Sequence, residues 1–134
     1  MRFAIFDKKV EVENRKSNYR TIANRKNMKA RHNLRKLNFW NETVDLAVDV
    51  YKFTADFAKE EKFGLVSQMN RNAVSVPSNI AEGVDRNSSG EFVQFLGIAN
   101  GSANELFTQM VISNKLGLVK NETLEAFEDR IDKT

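Results

Sequence analysis

The sequence predicts an all-α fold, an antiparallel up-down four-helix bundle with a truncated last helix and a basic N-terminal extension. Three observations predict it. Turn formers are scarce: one proline and six glycines occur in 134 residues, and every glycine lies at or after Gly64, so long helices are easier to write than a many-turned sheet. From Leu37 onward, apolar residues recur at three- and four-residue steps. Charge then divides the chain, with 12 Lys/Arg and 3 Asp/Glu in residues 1–36, net +9, and a net charge of −6 over 37–134.

Along the bundle, Leu37, Trp40, Val44, Ala47, Val48, Tyr51 and Phe57 form one apolar stripe, and a first helix is expected from about Asn38 to Lys59. Leu65, Val66, Met69, Ala73, Val76, Ile80 and Ala81 mark a second, ending at Gly83 as a left-handed cap. Pro77 lies inside it, lacks an N–H and crowds the Ala73 carbonyl, so a kink or local break is expected there. Ser88-Ser89-Gly90-Glu91 has the form of a capping box and starts a third helix, whose stripe runs from Phe92 to Met110 and whose C-cap is Gly117. Asn121 is expected to cap a fourth helix with Leu124, Phe127 and Ile131 on its apolar face. At roughly 14 residues, or about 21 Å, that helix is too short to cover the whole groove left by the other three.

Residues 37–134 therefore read as one domain, and residues 1–36 as a basic, flexible extension with no sustained period. Phe3, Ile5, Val10 and Val12 could make a short strand-like piece, but an isolated strand pair is marginal in water. An apolar content of 41% suffices for a core without metals or disulfides, and the absence of cysteine excludes thiolate chemistry and cysteine-based metal centres. No run of about 18 apolar residues and no secretory apolar segment occurs, which makes the cytoplasm the expected location and leaves no membrane role.

Three segments carry a resemblance: Leu37-Asn38-Phe39-Trp40, the run from Val74 to Gly83 (Val-Ser-Val-Pro-Ser-Asn-Ile-Ala-Glu-Gly), and the run from Glu91 to Leu106. Their order and spacing resemble the bacterial four helix bundle family first described from intervening sequences in 23S rRNA genes. The accessory variability determinant of diversity-generating retroelements is related to it. The resemblance covers about residues 34–130 and implies an up-down-up-down bundle that assembles as a homopentamer. Relatives in retroelements bind nucleic acid and a reverse transcriptase. Two departures weaken a nucleic-acid role here: Asn70-Arg71-Asn72 stands where members usually carry a basic pair, and Asp85-Arg86-Asn87 where they have a more basic turn. The extension before about Met28 also departs from the family pattern, and Met28 is a candidate start.

Arg71, Asn79, Glu82, Ser102 and Glu105, beside Gln109, are the polar residues expected to meet within the bundle. Buried carboxylates need charged or hydrogen-bonded partners, so the group is read as a structural network fixing helix register or a subunit interface. A di-metal carboxylate centre would need Glu-x-x-His on two helices, whereas the single histidine, His32, lies ahead of the bundle and is read as part of the basic head. Neither a catalytic constellation nor a cofactor is expected, and acid–base work would rest on Glu82 and Glu105 alone. Trp40 and Tyr51 are read as core or subunit interface. The leading expectation is a homo-oligomeric interaction module. The alternative is an accessory protein contacting RNA or DNA phosphates through Arg25, Lys26, Lys29, Arg31, Arg35, Lys36, Arg71 and Arg86, with salt-sensitive affinity.

Overall fold

The computed structural model describes residues 33–86 and 88–133. It contains four α-helices, α1 (Asn38–Thr54), α2 (Ser67–Asp85), α3 (Ser89–Lys115) and α4 (Asn121–Lys133), and no strand among the described residues. Basic residues before position 33, His32 and the strand-like piece lie outside the described residues. The helices pack as an antiparallel bundle around one core, in which Phe92, Met69, Ile80, Leu96, Leu106, Met110 and Ile131 are fully enclosed. Full burial of a side chain of this size contributes roughly 1.5–3 kcal/mol.

The turn ahead of α1 belongs to the packed body. Lys36 N–H donates to the Asn33 carbonyl and Leu37 N–H to that of Leu34, and Leu37 is buried with Leu34 packed beside it. The Asn41 side-chain amide then donates to the Arg35 and Leu37 carbonyls, fixing the entry to α1. Inside α1 the core face consists of Phe39, Thr43, Leu46, Ala47, Val50 and Thr54. This differs from the expected stripe: Val48 and Tyr51 face outward. The helix carries two apolar faces, and spacing alone does not say which one a core will take.

α1 stops at Thr54, five residues short of the expected Lys59. The Thr54 hydroxyl lies 2.8 Å from the Val50 carbonyl and 3.0 Å from the Asn70 side-chain oxygen, satisfying the last turn from within. Phe57 N–H then donates to the Thr54 carbonyl, and its ring returns to within 6.2 Å of Phe53. The link to α2 runs through a 3-10 turn (Lys59–Glu61) and a π turn (Lys62–Val66), with Gly64 at φ −95°, ψ −105°.

α2 is continuous through Pro77. The irregularity expected at the proline occurs instead at Gly64. Pro77 is buried, and the packing of α1 and α3 against α2 offsets the hydrogen bond its ring removes. Nor is Gly83 a left-handed cap. It lies within the helix, and a Cβ placed there would meet the Phe92 ring at 3.0 Å and Phe95 Cβ at 3.1 Å. Its role is steric: it lets the end of α2 approach the start of α3.

α3 begins as the sequence suggests, with Ser88 Oγ accepting the Glu91 N–H at 3.1 Å. It ends in a Schellman motif: Gly117 adopts φ +80°, its N–H donates to Asn114, and Leu118 N–H donates to Ser113. At the next turn the expected role of Asn121 changes. Lys120 supplies the first helical carbonyl, to Leu124 N–H, while Asn121 Oδ1 accepts from the Asn114 amide, which also donates to the Val119 carbonyl. Asn114 thereby clips α3 to α4.

α4 has 13 residues, about 20 Å, beside the 27 residues, about 40 Å, of α3. Phe127 meets Phe53 edge-on at 6.5 Å, and Arg130 pairs with Asp49. Beyond that level, towards the start of α1, the core is completed in part by Leu34 and Leu37.

Two glycines on these helices should respond oppositely to alanine. Gly97 is exposed with nothing near its missing Cβ, so Gly97→Ala should raise stability by about 0.5–1 kcal/mol in urea unfolding. Gly83→Ala gains the same backbone term but must push the Phe92 ring and Phe95 back by a few tenths of an ångström, and should lower stability by about 1–2 kcal/mol net.

Candidate functional site

Two surfaces flank α2, one polar and internal, the other apolar and open. On the α3 side, Gln68, Asn72, Ser75 and Asn79 recur at four, three and four residues and form a seam. The Asn79 amide donates to the Ser75 carbonyl at 2.8 Å and to Ser75 Oγ at 2.9 Å, and Ser102 Oγ on α3 donates to Ser75 Oγ at 2.8 Å. One heptad along, Gln109 joins Asn72 and Gln68 at 3.2 Å each. The buried Ser113 hydroxyl returns to the Gln109 carbonyl at 2.8 Å, beside Met69 Sδ. Hydrogen bonds between side chains of this kind contribute about 0.5–1.5 kcal/mol each, and a one-residue slip of α3 would break them together. The seam fixes helix register.

On the α1 side lies an apolar groove of about 480 Å³, walled by Val44, Ala47, Val48 and Tyr51 from α1 and by Val74 and Pro77 from α2, with Lys52 and Ser78 at its rim. Val48, Tyr51 and Val74 are 44–50% exposed. α3 presents a second outward line, apolar at Ile98 and Ile112 with Glu105 seven residues from each, the exposed Gly101 among them and Leu116 just beyond. The amide oxygens of Asn100 and Asn104, and the Asn33 amide nitrogen, are buried without a hydrogen-bond partner among the described residues.

The structure brings two of the expected network residues, Asn79 and Ser102, together through Ser75. The other three stand at the surface. Glu82 pairs with Arg86 at 2.9 Å, one turn on, while Arg71 and Glu105 are exposed on different helices. Ser75, Asn72 and Gln68 are the members that the sequence reading passed over, although their spacing along one side of α2 marks them.

Among the expected phosphate contacts, Arg25, Lys26, Lys29 and Arg31 lie outside the described residues. Arg35 and Lys36 are exposed just ahead of α1, at the end of the bundle where α2 finishes with Arg86. Arg71 lies about 22 Å back along α2 from Arg86. The Arg86 guanidinium is held by Glu82 and stacks 4.8 Å from the centre of the Phe95 ring, tying the end of α2 to the start of α3. Among the described residues, no cluster of His, Cys, Asp or Glu could hold a metal ion, and no helix is long and apolar enough to cross a membrane.

The family model of the 23S rRNA-intervening sequence protein matches residues 35–134, about three quarters of the chain. The chain belongs to that family. No curated protein matches it. As a 23S rRNA-intervening sequence family member it is a small helical protein whose matched region contains all four helices, the polar seam and the apolar groove. The match also begins at Arg35, within the turn that packs ahead of α1.

If the seam sets register, Ser75→Ala should lower stability by about 1–2 kcal/mol, since it strands two partners, and should couple to Ser102→Ala in a double-mutant cycle. Glu82→Gln removes only a surface ion pair and should shift stability by no more than about 0.5 kcal/mol. Urea unfolding followed by circular dichroism checks both.

Proposed function

We propose that this protein works by assembling with copies of itself through its outer apolar surface, as an interaction or scaffold module and not as an enzyme. One observation carries the reading: α1 has two apolar faces, and the core uses only one of them. Phe39, Leu46 and Val50 are enclosed, while Val48 and Tyr51, with Val74 of α2, border an open groove. Isolated exposed apolar residues are ordinary, but several gathered around one concave surface mark a place where another macromolecule sits. Covering a half-exposed valine or isoleucine contributes roughly 1 kcal/mol, so a few such residues per contact support a specific oligomer.

Tyr51 strengthens the reading, because a tyrosine at such a surface offers a large apolar body with a hydroxyl at the rim. The resemblance of the Leu37–Trp40, Val74–Gly83 and Glu91–Leu106 motifs sets five as the expected number of subunits. The carboxylates on which acid–base chemistry would depend favour a non-catalytic role, since Glu82 is engaged by Arg86 at the surface and Glu105 lies on another helix.

Light scattering of the full chain should give a mass several times 15.3 kDa. Val48→Glu together with Val74→Glu should weaken association by about a hundredfold, roughly 2.7 kcal/mol, with helical content unchanged. A wild-type chain that stays at the single-chain mass up to high micromolar concentration would exclude this function.

A further inference from the structure

The groove and the α3 ridge are different faces of the same chain, and their features match. The groove is apolar along its floor and carries Lys52 at its rim, with Arg71 three residues before Val74 on the exposed side of α2. The ridge is apolar at Ile98 and Ile112 and carries Glu105 midway. Neither Lys52 nor Glu105 forms an ion pair among the described residues. Spacing agrees as well as charge. The seven residues from Ile98 to Glu105 span about 10.5 Å of helix, and the eight from Val44 to Lys52 span about 12 Å. Gly101, between Ile98 and Glu105, has nothing around its missing Cβ and leaves room for a second backbone to approach.

The geometry points to a head-to-tail contact in which the α3 ridge of one chain, through Ile98, Gly101 and Glu105, occupies the α1–α2 groove of the next. This rests on the self-association proposed above and assigns its two surfaces. The contact is heterologous: each copy offers a ridge on one side and a groove on the other, so association continues until rotation closes a ring, or extends as a filament if it does not. Apolar burial holds the contact, while Glu105 beside Lys52 and Arg71 sets its register along the groove, because a slip of one helical turn would carry the carboxylate about 5.4 Å along the groove and away from both cations.

The chain has no native cysteine, which makes the assignment directly testable in the full-length protein. Val48→Cys, Ile98→Cys and the double variant are treated with a short bis-maleimide and separated under denaturing conditions, alongside light scattering of the wild type. Both positions are half-exposed, so the substitutions leave the core untouched. The expected result is no cross-linking in either single variant and, in the double variant, a covalent ladder reaching the subunit number seen by scattering. Dimers from a single variant would show like face on like face and would overturn the proposal. So would a wild-type oligomer whose double variant does not cross-link, an outcome that leaves self-association standing. A monomeric wild type would overturn both.

Charge reversal gives an independent readout. Lys52→Glu or Glu105→Lys alone should weaken association about tenfold, and the two together should restore most of it. Additive losses in the combined variant would place these residues in separate environments and refute the pairing.

Discussion

The close approach of α2 to α3 governs the rest of the molecule. Gly83 lies so near Phe92 and Phe95 that a methyl group would need its neighbours to give by a few tenths of an ångström, and the polar seam allows only one register for the two. With that pair fixed, the rotation of α2 is set: Met69, Ala73, Val76 and Ile80 point into the core. Val74 and Pro77 are thereby turned towards α1 and become one wall of the groove. The outer surface is a consequence of the inner contact.

Energetically the two sides of α2 differ in kind. The seam exchanges water for hydrogen bonds between neutral side chains, so its net contribution is modest and its value lies in excluding neighbouring registers. The groove and the α3 ridge are the reverse case, holding apolar surface that a single chain leaves in water. Surface ion pairs such as Glu82–Arg86 and Asp49–Arg130 add little to stability, although the former, with the stacking of Arg86 on Phe95, guides the turn between α2 and α3. A short α4 is tolerated because Leu34 and Leu37 enter the core beyond its reach and the Asn114 clip fixes its start.

Much of the fold was legible in the residues because local signals and packing agree. Ser88 capping α3, the left-handed Gly117 closing it, and the core stripes of α2 and α3 are all written in short-range patterns. The misreadings have a common cause. A three- and four-residue period finds an apolar face but does not distinguish a core from an interface, so Val48 falls in one stripe with core positions and Tyr51 fits either. The local preferences of Gly83 and Pro77 are a cap and a break, whereas tertiary contact decides both. In the polar group, Asn79 and Ser102 stand on facing helices, and Ser75, a short neutral side chain with no strong signal of its own, joins them.

Self-assembly of the chain requires its outer apolar face to be covered in solution. Hydroxyl-radical footprinting of Tyr51 across a protein dilution series measures this directly, since the side chain is 50% exposed in the single chain. Slow modification is expected at high concentration, rising to the rate of an open tyrosine as the protein is diluted. A rate that is fast and independent of concentration would contradict it.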